Sequence, residues 1–156
     1  MEIDFNTIRN NINIKAYHII GWGSGRTVFD LENGYVVKAA KNRKGIEQNK
    51  AEYRISNLDQ NNVFAQVIAL SDDDKYLIME KAQRIKSFSV IWNYYKVKNN
   101  RQLFSLEVFN KLLPMYDLLQ GDLYRLSSWG IVKEKPVIVD YGFTRGVRKF
   151  YNIFRI

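Results

Sequence analysis

None of the 156 residues is a cysteine, and only His18 is a histidine. Disulfides, thiolate metal sites and histidine-rich metal sites are therefore excluded, and any metal held here is a hard cation on oxygen ligands. No stretch approaches the roughly 20 uninterrupted apolar residues a membrane-spanning helix needs. The first residues, Met1-Glu2-Ile3-Asp4-Phe5-Asn6, have no charged-then-apolar signal pattern. The expectation is a cytoplasmic chain with no membrane partner. No repeat, low-complexity tract or linker interrupts it. What is present, 46% hydrophobic and 14% aromatic residues, is the composition of one folded domain at this length.

Acidic residues are outnumbered, and the net charge is +8. The basic residues fall in short groups: Lys41, Arg43 and Lys44; Lys81, Arg84 and Lys86; Lys96, Lys98 and Arg101; Arg145, Arg148 and Lys149. Such scattering suits a solvated surface first and also permits, without demanding, an anionic partner, nucleic acid or acidic protein.

Along the chain, residues 14–20 are apolar and β-prone and run into Gly21-Trp22-Gly23-Ser24-Gly25, a strand feeding a tight loop. Residues 27–31 read as the return strand. Asn33-Gly34 is the favoured pair for a tight reversal, and Tyr35-Val36-Val37-Lys38-Ala39-Ala40 makes a third strand. Residues 44–57 carry an apolar stripe of Ile46, Ala51 and Ile55, extended by Leu58, and read as a helix. Residues 63–70 and 75–81 are two further strands about the turn Ser71-Asp72-Asp73-Asp74. The first half is thus β-β-β-α-β-β. Beyond it, 87–97 and 103–119 read as helices, the second kinked at Pro114. An irregular segment, 120–129, precedes short strands at 130–132 and 136–139 that deliver Asp140. His18 reads as a packed strand residue rather than a base. Trp92, Tyr94 and Tyr95 read as an aromatic helix face in the core, with base stacking as the alternative. Trp22 is expected to be exposed.

The glycine turn, Lys38, and Asp140-Tyr141-Gly142, in this order, resemble the phosphate-handling parts of the protein-kinase superfamily over roughly residues 14–144. The resemblance implies an α+β, kinase-like fold: a five-stranded antiparallel N-lobe with one helix (about 1–81) and a reduced, mainly helical C-lobe (about 82–156), with ATP and Mg2+ as cofactors. It further implies that Gly21, Gly23 and Gly25 form the lid whose backbone amides approach phosphate oxygens, and that Val28 closes on the adenine. Lys38 neutralises the α and β phosphates, and Glu52 is its ion-pair partner, with Glu47 as fallback. Met79, the Glu80 carbonyl and the Ala82 backbone border the base. Asp122, in Gly121-Asp122-Leu123 eighteen residues before Asp140, takes the proton of the acceptor hydroxyl. Asp140 holds the metal, with Ser127 where the family has an asparagine.

Three departures accompany the likeness. Arg26 occupies the third glycine position, Gln120 or Gly121 replaces the histidine that opens the catalytic loop, and fourteen residues follow Gly142, too few for the family's activation segment and later helices. The residues from Thr144 to Ile156 read as a basic amphipathic tail. This pattern is similar to the minimal kinases of some bacterial effectors and phage-borne chains. It leaves two functions open: a kinase acting on serine or threonine hydroxyls of a protein substrate, or a pseudokinase acting as a regulatory module through a protein partner. A phosphotransferase for a small molecule is a third.

Overall fold

The β-forming run at 35–40 becomes β3 (Tyr35–Ala40), the centre of a five-stranded antiparallel sheet in the computed structural model, which describes residues 2–153. Its neighbours are β1 (Ile19–Trp22), β2 (Arg26–Asp30), β4 (Val67–Leu70) and β5 (Tyr76–Glu80), in the order β1-β2-β3-β5-β4. Between β3 and β4 the chain forms α2 (Arg43–Leu58), which buries Ala51, Glu52 and Ile55. Side chains alternate across a strand, so β3 serves both faces. Val37 joins Phe29 and Ile78 in one cluster, while Val36 and Lys38 point to the other face. Register aligns Lys38 with Val28 on β2 and with Leu77 on β5, and Val36 with Met79.

The Phe29, Val37 and Ile78 cluster is covered by Ile8 of α1 (Phe5–Asn13), with Phe5 and Ile12 of the same helix packed around it. This helix is not among the sequence-based expectations. Asparagines at 6, 10, 11 and 13 give it poor intrinsic propensity, and it forms because Asp4 caps it through the amides of Asn6 and Thr7, at 3.0 and 3.3 Å. In consequence 14–20 is not one strand. Ile14 ends α1, Lys15 turns the chain with φ 57°, and β1 starts only at Ile19.

The chain divides into two compact units, Met1–Asn57 with Gln66–Lys81, and Leu58–Ala65 with Ala82–Ile156. The division cuts the strand expected at 63–70. Residues 63–65 run alongside β8 (Lys135–Ile138): Ala65 N–H donates to the Ile138 carbonyl and Ile138 N–H to the Val63 carbonyl, both at 2.8 Å. The Gln66 amide then bonds the Glu80 carboxylate (2.7 Å) and the Val67 amide the Ser56 hydroxyl (2.9 Å). Those side-chain acceptors let one extended segment serve two sheets.

In the second unit β6 (Gln83–Arg84), β7 (Trp129–Val132) and β8 form a three-stranded sheet. Two-residue β6 lies below the length any periodicity can reveal. Helices α3 (Ser89–Tyr95), α4 (Asn100–Ser105) and α5 (Glu107–Met115) surround Phe109, which is fully buried and meets Tyr95, Phe104 and Trp129 edge-to-face at 5.3, 5.9 and 5.9 Å. The helix expected over 103–119 breaks at Leu106, whose backbone is extended (φ −63°, ψ 142°). Pro114 lies in the final turn of α5, one residue before its last. After β8 the chain passes through Tyr141 and Gly142 into α6 (Arg145–Ile153). The Thr144 hydroxyl accepts from Val147 N–H (3.2 Å) and the Asp117 carboxylate from Gly146 N–H (2.9 Å). Residues 154–156 of the basic tail lie outside the described residues.

The first unit is thus the expected five-stranded antiparallel sheet with one helix between β3 and β4, the second is mainly helical, and the described residues are α+β.

Candidate functional site

Strand alternation delivers Lys38 to the inner face of β3, and the α2 stripe delivers Glu52 opposite it. The Lys38 ammonium lies 2.8 and 2.9 Å from the two Glu52 carboxylate oxygens, with Lys38 5% and Glu52 0% exposed. Glu47 instead pairs with Lys50 at 3.6 Å on the helix surface. A third member of the cluster went unread in the sequence. Arg26 is itself only 6% exposed, and its guanidinium grips the same Glu52 carboxylate at 2.6 and 3.1 Å while donating to Asn49 Oδ1 at 3.1 Å. Asn49, fully buried, donates onward to the Asp74 carbonyl at 3.0 Å. The signal was present: an arginine leading a β-strand, facing inward by the same alternation that places Val28 and Lys38.

The glycine loop is tied to the corner between β3 and α2. Gly23 N–H donates to the Arg26 carbonyl (2.9 Å), Lys41 donates to the Gly23 carbonyl (2.7 Å), and Asn42 donates to the Ser24 carbonyl (2.9 Å). Gly21 lies in β1 against Val28, where a Cβ would make ordinary contact at 3.7 Å. Gly25 is a packing glycine: it is buried, and a Cβ there would press on the Gly45 backbone at 3.1 and 3.2 Å. Trp22 is 78% exposed at this loop. Val28 is half-buried, Met79 is buried, and Glu80 spends its carboxylate on the Gln66 amide. His18 is a correction. Its side chain is 84% exposed, 3.7 Å from Glu32, because residue 18 precedes the strand and meets no packed face.

The remaining expected residues belong to the second unit, Ala82 among them. Asp122 lies in a 3-10 turn, Gln120–Tyr124, anchored by buried Leu123. A second turn, Leu126–Ser128, follows. Ser127 is exposed, while Ser128 is buried and links two segments. Its hydroxyl donates to the Asp122 carbonyl (2.7 Å), and its own carbonyl accepts from Val139 N–H (2.7 Å) and Asp140 N–H (3.4 Å). Tyr141 is buried, stacks near Phe64 at 4.6 Å and donates to the Ala65 carbonyl at 2.7 Å. These ties hold the backbone of Asp140 while its side chain is exposed.

Burial pushes the Asp122 carboxyl above its ordinary pKa; Arg125 pulls it back, Asp140 adds to the rise, and Arg148 of α6 opposes it. Among the described residues no group of three or more acidic, histidine or cysteine side chains is poised for a metal. One carboxylate, that of Asp140, fits magnesium, which is commonly held by one or two carboxylates completed by phosphate and water. The aromatic helix face is only part core: Trp92 is half-buried, stacked on Phe88 and bonded to Asn100, whereas Tyr94 is 47% exposed.

No family model and no curated protein matches this chain. Among solved structures it is similar to the streptomycin-ATP-APH(2")-IIa ternary complex, with TM-score 0.48 and 15% identity over 91% of this chain and 71% of that one. It is also similar to the gentamicin-APH(2")-IIa complex, with TM-score 0.39 and 24% identity over 64% of this chain and 34% of that one. Among the described residues no helix is long and apolar enough to cross a membrane.

Proposed function

We propose that this chain binds Mg-ATP and transfers the γ-phosphate to a serine or threonine hydroxyl of a protein. The observation that carries the reading is the buried Lys38–Glu52 pair, set on a third strand and the following helix. A lysine is costly to bury on a surface of no function, and this one has the placement that phosphate neutralisation needs. Lys38 takes the α and β phosphates, and Gly21 and Gly23 leave backbone free of side chains beside them. Asp122 accepts the hydroxyl proton as the acceptor oxygen forms its bond to the γ-phosphorus and the bond to the β–γ bridging oxygen breaks, with ADP leaving. The raised pKa of Asp122 suits a base. Asp140 would hold magnesium, which supplies charge neutralisation to the phosphates. Val28 and Met79 serve the adenine, with the Glu80 and Ala82 backbones.

A second reading, a pseudokinase that acts by contact with a protein partner, is favoured by one feature. Ser127, the expected second metal ligand, is exposed, and its neighbour Ser128 spends its hydroxyl on the Asp122 carbonyl. Transfer of γ-labelled phosphate by the purified chain to itself and to a basic protein, beside Asp140→Ala, separates the two. Label that disappears in the variant supports the enzyme. Absence of label in a folded protein that binds Mg-ATP supports the pseudokinase.

A further inference from the structure

The positive charge is not spread evenly over the chain. Cations outnumber acids by 13 to 6 in the second unit and by 11 to 10 in the first. Between Glu80 and Glu107 there is no acidic residue, and Glu107 itself is paired with Lys111 at 2.6 Å. Within that stretch α3 ends at Lys96, whose left-handed backbone (φ 57°) turns the chain toward α4. Three bonds hold the corner. Asn99 Oδ1 accepts from Gln102 N–H (2.9 Å), Gln102 Oε1 accepts from Lys98 N–H (2.9 Å), and Trp92 Nε1 donates to Asn100 Oδ1 (2.8 Å). Lys96, Lys98 and Arg101 are exposed there, and among the described residues none of the three is in an ion pair. Tyr94, one helical turn after exposed Val90, is itself exposed, its ring braced edge-to-face by Tyr95 at 5.0 Å. Next in the chain, Val97, Asn99, Arg101, Gln102, Ser105 and Leu106 line an open groove of about 480 Å³.

We propose that the corner between α3 and α4 is a binding surface for single-stranded nucleic acid, with Lys96, Lys98 and Arg101 on phosphates and Tyr94 stacked on a base. Cations without neighbouring acids attract a phosphate chain, and an exposed ring is a platform for any base, since every base has a π-face. Asn99 and Gln102 spend their side-chain oxygens on the corner itself, so what they offer a ligand is the amide nitrogen, a donor for base carbonyls. An acidic peptide would meet the same cations but carries no planar group for the ring. This binding is additional to phosphotransfer, does not depend on it, and uses none of the residues assigned to it.

The test is fluorescence anisotropy of labelled oligothymidylate and oligouridylate, about 15 nucleotides long to span a typical single-strand site, titrated with the full chain between about 50 and 200 mM salt. Expected is saturable binding whose logarithm falls with that of the salt concentration at a slope of about −2, three phosphates at roughly −0.7 each. Lys98→Gln with Arg101→Gln should bring the slope to about −0.7. Tyr94→Ala should lose about tenfold and Tyr94→Phe almost nothing, the mark of stacking rather than of the hydroxyl. Wild type that binds neither strand at the lower salt overturns the proposal, and this arm needs no variant to fold. Equal affinity for a duplex of the same length overturns the stacking role, and equal competition by polyglutamate assigns the surface to an acidic protein instead. Displacement of the strand by Mg-ATP, or a folded double variant with wild-type affinity and slope, places the strand elsewhere and overturns it too.

Discussion

Tyr95 sets a hydroxyl in the interior of the second unit with no hydrogen-bond partner, its ring edge-to-face with Tyr94 and Phe109. Burial pushes its ionisation up to about 12. An unsatisfied buried hydroxyl costs about 1 to 3 kcal/mol, so Tyr95→Phe is expected to stabilise the protein by about 1 kcal/mol, read as a higher urea midpoint at unchanged slope. A lower midpoint would mean that the hydroxyl is satisfied. Asp122 gives the second residue-level expectation. As the proposed base it would work ionised, so the proposed transfer is expected to fall as pH drops through a value above the ordinary aspartate range, its carboxyl being raised mainly by burial. Because the native state keeps this proton longer than the unfolded chain, its contribution to stability is full below the ordinary pKa and is lost as pH rises through the raised one. Carboxyl NMR titration checks the sign: Arg125→Ala should move the Asp122 midpoint up, and Asp140→Asn should move it down.

At the scale of elements, α2 is held to the sheet by charge as much as by apolar packing. Glu52→Gln would remove the carboxylate charge that both Arg26 and Lys38 hold, and removing one partner of a buried pair typically costs about 3 to 5 kcal/mol. Thermal unfolding should show a large drop in midpoint, and a change near zero would show that water reaches the cluster. The central elements were legible because their signals are local: β3 is a continuous β-forming run ended by Asn33-Gly34 on one side, and α2 carries its own stripe. Lys38 and Glu52 were legible as members of a resemblance, and strand and helix periodicity put them face to face. What stayed hidden depends on tertiary contacts. The α1 sequence is a poor helix former until Ile8 finds Phe29 and Val37. The split at Gln66 needs Glu80 and Ser56 as acceptors from elsewhere. Strand alternation puts Arg26 on the inner face with Val28 and Lys38, but nothing local says that it will be buried on a glutamate 26 positions away.

For the molecule as a whole, a net charge of +8 implies self-repulsion in the folded state. Raising ionic strength from about 0.01 M to about 0.15 M shortens the screening length from roughly 30 to 8 Å. The melting temperature is expected to rise by a few degrees, because exposed pairs such as Glu107–Lys111 contribute little in the opposite direction. Differential scanning calorimetry across that range decides it, and a fall with salt would place the balance with the ion pairs. The three tryptophans differ sharply in setting: Trp129 is 2% exposed, Trp92 is half-buried, and Trp22 is 78% exposed beside the loop glycines. The protein thus carries its own optical label. Red-edge emission and iodide quenching belong mostly to Trp22, so a ligand that settles on the glycine loop announces itself as a blue shift and a loss of quenching, with no dye attached.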